Sequence, residues 1–270
     1  MGKKGFTVIE LLVAMIVSMI VVGALTSLFI VGNRTFQSNE RVAYITEEVR
    51  NAITTLDFLF SRWGVGVPCP QNGCNIQTPP PDCTSYPPSD PMCITINGTE
   101  IIFYANLYGI GFVQSVDNDN ANIISCRLSS SSTQNCYYVW NAGNLKGGYD
   151  NGIPKYFSFS STLTFSGSPD CVSSYNTNLT VSKSLSNNLT LDQGDYITRV
   201  PHRIRIYLSN GNIYIDRDDM ASDCNDNEKS VILAKVSSFS AQKVGRSVKV
   251  DITFIDDKGK TFSITRYYGR

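Results

Sequence analysis

The side chains able to do more than pack are eight cysteines, one histidine, a run of acids near residue 224, and a glutamate inside an apolar segment. The cysteines are Cys69, Cys74, Cys83, Cys93, Cys126, Cys136, Cys171 and Cys224. None stands at C-x-x-C spacing, so zinc-ribbon, thioredoxin-like and haem-attachment chemistries lack their ligands. An even count in an oxidising compartment reads as a disulfide framework whose pairing the spacing leaves open. The pairing expected is two bridges within Cys69, Cys74, Cys83 and Cys93, a local clip Cys126–Cys136, and a long-range staple Cys171–Cys224. His202 follows Pro201. As a hydrolase base it would need a nucleophilic serine and an acid, and no G-x-S-x-G elbow occurs, so it reads as a structural histidine. Asp216, Asp218, Asp219, Asp223, Asp226 and Glu228 read as an acidic loop around Cys224. Within it Asp223, Asn225 and Asn227 open like a calcium loop. Glu228 stands where the turn glycine belongs and Ala234 at the twelfth position, which favours a solvated loop over a metal. No cofactor is expected.

The elements that position these groups begin with an uneven distribution of hydrophobicity. The 270 residues are 42% hydrophobic and 17% charged, with Lys+Arg 23 against Asp+Glu 23. That length can bury a core, and the zero net charge lacks the basic excess of a nucleic-acid binder. Lys3 and Lys4 precede an apolar run over 6–31 whose only ionisable residue is Glu10. As a helix the run spans roughly 39 Å, enough to cross a hydrocarbon core of about 30 Å. Lysines on the short flank place the N-terminus in the cytoplasm and the rest outside. Val22-Gly23-Ala24 is a passable signal-peptidase site, but the apolar run continues past it. A carboxylate in such a segment costs on the order of 3 kcal/mol, and a plain anchor leaves Glu10 unexplained.

Lys3-Lys4-Gly5-Phe6-Thr7-Val8-Ile9-Glu10 resembles the type IV prepilin leader: basic residues, glycine, then an aromatic residue with glutamate four positions on. The resemblance implies cleavage after Gly5 by a membrane-embedded aspartyl peptidase and N-methylation of Phe6. It also gives Glu10 the role of setting helix register. The resulting Phe6 ammonium and a carboxylate one turn away, on the same chain or a neighbour, attract in low dielectric. Many major pilins carry a proline about two-thirds along this segment. Here Leu25-Thr26-Ser27-Leu28 has none, so the helix is expected to continue.

Past residue 31 the pattern turns amphipathic, with Val42, Ile45, Val49, Ile53, Leu56 and Phe60 on one face. Gly64 and Gly66 supply the stop. Residues 68–93 hold eight of the eleven prolines and four of the eight cysteines, a cross-linked surface loop. Strand signals follow. Ile94–Ile102 reads as a hairpin about Asn97-Gly98, and Arg203–Ile215 as one about Asn210-Gly211. Alternation at Val248, Val250, Ile252 and Phe254, a turn at Asp257-Lys258-Gly259, and Phe262–Thr265 close an antiparallel meander. Lys155–Phe165 shows alternating patches. The span 117–188 is rich in Ser, Thr, Asn and Gly, and its elements cannot be ordered from the sequence.

The expected fold is α+β: a long N-terminal helix on an antiparallel β-sheet head with disulfide-stapled loops, the type IV pilin fold. The domain reading is leader 1–5, assembly helix 6–31, amphipathic half 32–62, and head 63–270 with the Pro/Cys-rich loop 68–93. Leu56-Asp57-Phe58-Leu59-Phe60-Ser61-Arg62 before a glycine-bearing break, and a C-terminal strand pair ending Thr265-Arg266-Tyr267-Tyr268, resemble the W-type (PilW-like) minor pilins. That resemblance implies a minor pilin that joins or primes a type IV pilus, with a tip position and an adhesive role for the head as further readings. A J-type pseudopilin of type II secretion is the alternative. A membrane-anchored periplasmic enzyme is a remote third reading. Implied partners are other pilins or pseudopilins through the helix, the prepilin peptidase, and the inner membrane before assembly. After assembly the head faces the periplasm or the exterior.

Overall fold

The computed structural model describes residues 8–125, 128, 136–159, 178–220, 228–256 and 259–269. Its first element is one helix, α1 (Val8–Ser61), continuous through the proline-free stretch at Leu25–Leu28. The chain divides into two units, up to Asn51 and from Ala52 onward. Within the second unit, Ala52, Ile53, Leu56, Leu59, Phe60 and Trp63 are all buried, each large side chain contributing about 1.5–3 kcal/mol. The helix stops where the backbone turns left-handed. Gly64 has φ of 73°, its N–H donates to the Tyr104 carbonyl at 2.9 Å, and a Cβ there would lie 2.9 Å from Met92 Cγ. Only glycine meets both demands.

Fifteen strands follow among the described residues. They are β1 (Ile94–Asn97), β2 (Glu100–Ala105), β3 (Ile110–Val116), β4 (Asn120–Ser125), β5 (Tyr137–Asn141), β6 (Asn144–Lys146), β7 (Tyr149–Asp150) and β8 (Ile153–Pro154). Then come β9 (Asn178–Ser182), β10 (Tyr196–Arg199), β11 (His202–Ser209), β12 (Asn212–Asp219), β13 (Glu228–Val244), β14 (Ser247–Ile255) and β15 (Thr261–Tyr268). The first sheet runs β1-β2-β11-β12-β13-β14-β15 and the second β6-β5-β10-β3-β4-β9, with β7-β8 a separate ribbon. All pairings are antiparallel. The architecture is α+β, an apolar N-terminal helix followed by an antiparallel sheet domain.

On the first sheet Ile101, Phe103, Ile204, Ile206, Ile213, Val250 and Ile252 are buried. Phe60 of α1 lies between two rings of this sheet, 4.9 Å from Phe103 and 4.1 Å from Tyr268. The second sheet has its own core, in which Val113, Ile123, Tyr137, Val139 and Ile197 pack with Leu128, Phe157 and Leu191. At its margin Lys146 Nζ reaches Asp192 at 2.6 Å and the buried Asp195 at 2.7 Å. The hydrogen bond from Lys146 holds the Asp192 carboxyl below its usual range.

Several expectations need correcting. Val42, on the apolar face of the amphipathic half, is 61% exposed. Periodicity marks an apolar face but does not say what covers it. Asp216, Asp218 and Asp219 are not loop residues but belong to β12, and Glu228 opens β13. An acid on a solvent-facing strand position looks like loop when read by composition. Lys155–Phe159 forms no strand, only a bridge from Phe157 to Tyr137, and 160–165 lie outside the described residues. The unordered span 117–188 supplies most strands of the second sheet.

Candidate functional site

The part of the chain built for contact with something other than itself is the first half of α1. Residues Val8–Glu40 form 33 helical residues whose most apolar 18-residue stretch has mean hydropathy 2.7, and none of that stretch is buried. Leu11, Leu12, Met15, Ile16, Met19, Ile20 and their neighbours are exposed around the helix. Water does not tolerate so large an apolar surface; lipid or other helices do. Two hydroxyls of this segment bond back within the helix, Thr26 to the Val22 carbonyl at 2.8 Å and Thr35 to the Val31 carbonyl at 3.0 Å. Such back-bonding removes the cost of a hydroxyl where water is absent. Glu10 sits in the first turn of this helix and is exposed. Gly5 and Phe6 lie outside the described residues.

The head's cysteine cluster is pinned at several points. Cys69 pairs with Cys74 and Cys83 with Cys93, with Cα separations of 5.0 and 5.1 Å. Cys136 is disulfide-bonded too; Cys126, Cys171 and Cys224 fall outside the described residues. Inside the loop the buried carboxylate of Asp90 accepts the Gln77 N–H at 3.0 Å and the Met92 N–H at 2.9 Å. Arg246 approaches the same carboxylate at 3.4 Å and donates to the Gln77 carbonyl. Lys243 reaches the Pro80 carbonyl at 2.8 Å and Asp82 at 2.7 Å. Both cations flank the β13–β14 turn, so that turn clamps the loop. The indole of Trp63 donates to the Cys93 carbonyl at 3.1 Å, and the Tyr86 and Tyr138 hydroxyls meet at 3.0 Å. These clamp residues carried no sequence signal except Asp90 before Pro91, a turn-forming pair whose side chain caps the amide two residues on.

His202 opens β11, buried, its ring 5.4 Å from that of Tyr108. Among the described residues no group of three or more His, Cys, Asp or Glu could hold a metal. The calcium candidates Asp223, Asn225 and Asn227 lie outside those residues. Glu10, the cysteine loop and His202 are thus placed in three different parts of the chain.

Comparison with known proteins adds the following. The family described as the prokaryotic N-terminal methylation motif matches residues 1–26. An uncharacterized protein of Aquifex aeolicus (strain VF5) is 32% identical over 228 residues, covering 79% of this chain and 76% of the relative. No solved structure matches.

Proposed function

Because this chain belongs to the type IV pilin-like family, in which the N-terminal methylation motif marks a pilin or pseudopilin role, we propose that it is a W-type minor pilin. The observation that carries the reading is the exposed apolar helix Val8–Glu40 with Glu10 in its first turn, directly under the methylation motif. In this reading residues 1–5 are removed after Gly5 by a prepilin peptidase, and Phe6 becomes the methylated first residue. The helix holds the protein in the inner membrane, N-terminus in the cytoplasm, until assembly. It then packs beside the helices of other pilins. The new Phe6 ammonium and a Glu10 carboxylate from a neighbour pair in low dielectric, where a mismatch of register strands a charge. Segment 6–31 is the assembly helix, 32–62 its amphipathic continuation, and 63–270 the outward head.

The role is structural, not enzymatic: the work done is incorporation into, or priming of, a filament whose exposed end presents a cross-linked head. The W-type assignment over a J-type pseudopilin is supported by the Leu56–Arg62 segment ahead of Gly64 and by the C-terminal strand pair, whose Tyr268 packs against that segment through Phe60. Deletion of the gene tests it. Loss of surface filaments with normal protein secretion supports a minor pilin; a secretion defect with filaments intact makes the protein a pseudopilin.

A further inference from the structure

One face of the second sheet carries an aromatic row. The register aligns Leu145 with Trp140, Trp140 with Tyr196, Tyr196 with Phe112, and Phe112 with Ile124, one residue from each of five adjacent strands. Directly opposed residues share a face. The alternate residues Val139, Ile197, Val113 and Ile123 are the buried core, so the row lies on the other side. Ring centroids step 6.0 Å from Trp140 to Tyr196, their planes within 6° of parallel, and 6.4 Å on to Phe112, which is 56% exposed. Trp140 is fixed by its indole N–H, which donates to the Thr198 hydroxyl at 2.9 Å.

A cleft of about 590 Å³ is lined by Ile153 and Pro154 together with Asp150, Asn151, Lys155, Tyr156, Asn187 and Asn188. Its Tyr156 packs on the same buried group, Cys136, Tyr138 and Val200, as Trp140 and Leu145. Asn151, Asn187 and Asn188 all have left-handed backbone, with φ of 50°, 61° and 56°. Asparagine takes this conformation more readily than other non-glycine residues, Asn151 doing so in the β7–β8 turn ahead of Gly152, and the Asn187 Nδ2 donates to the Tyr156 carbonyl at 2.9 Å.

We propose that this cleft and aromatic row bind an uncharged oligosaccharide. A pyranose ring offers one face of polarised C–H groups and a rim of hydroxyls. The electron-rich face of an aromatic ring attracts the C–H groups, and a carboxamide, which both donates and accepts, suits the hydroxyls. The row bears no charge, and the cleft balances Asp150 against Lys155, which suits a neutral ligand. An acidic glycan or nucleic acid would lack a basic excess to meet it, and an apolar peptide or lipid would set the Asn151 and Asn188 carboxamides and two charges against apolar groups. The inference rests on the filament reading for its setting, an outward head.

The test uses the full-length chain in a detergent without sugar headgroups. The probes are chitohexaose and cellohexaose, with a hexamer of galacturonic acid as the acidic counterpart. The chain has two tryptophans and Trp63 is 1% exposed, so a change in emission reports Trp140. A saturable blue shift with a neutral hexamer is expected. Calorimetry should then give at least tenfold weaker binding for Tyr196→Ala and for Asn188→Gly, the latter keeping its backbone geometry and its melting temperature. No binding of either neutral hexamer, equal or tighter binding of the acidic one, or undiminished affinity in both variants overturns the proposal. Because this assay needs no assembly, its failure beside a processed N-terminus condemns the sugar site alone. Sugar binding by an unprocessed chain condemns the filament reading alone.

Discussion

The Tyr268 hydroxyl, near the end of the last strand, donates to the Asp57 carboxylate on the helix at 2.9 Å, across 211 residues of sequence. The same ring stacks on Phe60 at 4.1 Å, so one residue fastens the C-terminal strand to the helix's last turns by both packing and polarity. Burial, and after it the hydrogen bond to Asp57, holds this phenol well above its ordinary value of 10.0.

Tyr268→Phe keeps the stack and removes the hydrogen bond, leaving the exposed Asp57 to water. The expected loss is about 1 kcal/mol of head stability near neutral pH. The pH dependence carries a second signature. The unfolded chain releases the Tyr268 proton near the ordinary value while the folded chain retains it. The contribution is therefore complete below that pH and declines as pH rises past it, toward the folded phenol's own ionisation. Denaturant melts from pH 8 to 11 should fall less steeply for the variant. Tyr104, Tyr149 and Tyr196, also raised by burial, remain as a shared background.

Leu56 is fully buried on the helix segment that packs against the first sheet, whereas Leu12 is exposed in the apolar half. Leu56→Ala should cost about 2–5 kcal/mol in head stability. Leu12→Ala should leave the head's denaturant midpoint unchanged within about 0.5 kcal/mol. Tryptophan emission from Trp63 reads both.

Asp90→Ala withdraws the acceptor of two loop amides and the partner of Arg246. About 2 kcal/mol of local stability is at stake, since these donors are left in a partly buried setting. Hydrogen exchange at Gln77 and Met92 should accelerate strongly, with the β11–β12 amides unaffected. Uniform acceleration across the head would show that the loop is not a separately clamped unit.

Glu10→Ala should leave the protein anchored, because it only makes the segment more apolar. It should block entry into filaments, because the register charge is gone. Fractionation of membranes and sheared filaments separates the two effects, and normal incorporation of the variant would remove Glu10 from the mechanism.

The fold was legible where a local rule leaves little choice. Gly98 after Asn97, and both Asn210 and Gly211, take left-handed backbone in the turns that join paired strands. The strict alternation of Val248, Val250, Ile252 and Phe254 is the buried face of β14. What stayed hidden depends on neighbours far along the chain. β13 runs seventeen residues, through Ser237 and Ser240 and past register shifts that break its alternation. Trp140, Tyr196 and Phe112 form a row only through pairing of residues 56 and 84 positions apart, and no single-strand pattern encodes that register. The N-terminal motif was the opposite case. Its chemistry needs residues within one helical turn, so it was readable at once in 3–10, while the clamp by Lys243 and Arg246, more than 150 positions from its loop, was not.

The central claim is that this chain is a leader-cleaved, N-methylated filament subunit, and its mature N-terminus tests that most directly. Intact-protein and peptide mass spectrometry of the membrane-extracted protein should find a chain beginning at Phe6 with a methylated amine and Glu10 unmodified. A mature protein that still begins at Met1, or one cut within Val22-Gly23-Ala24, would contradict the account.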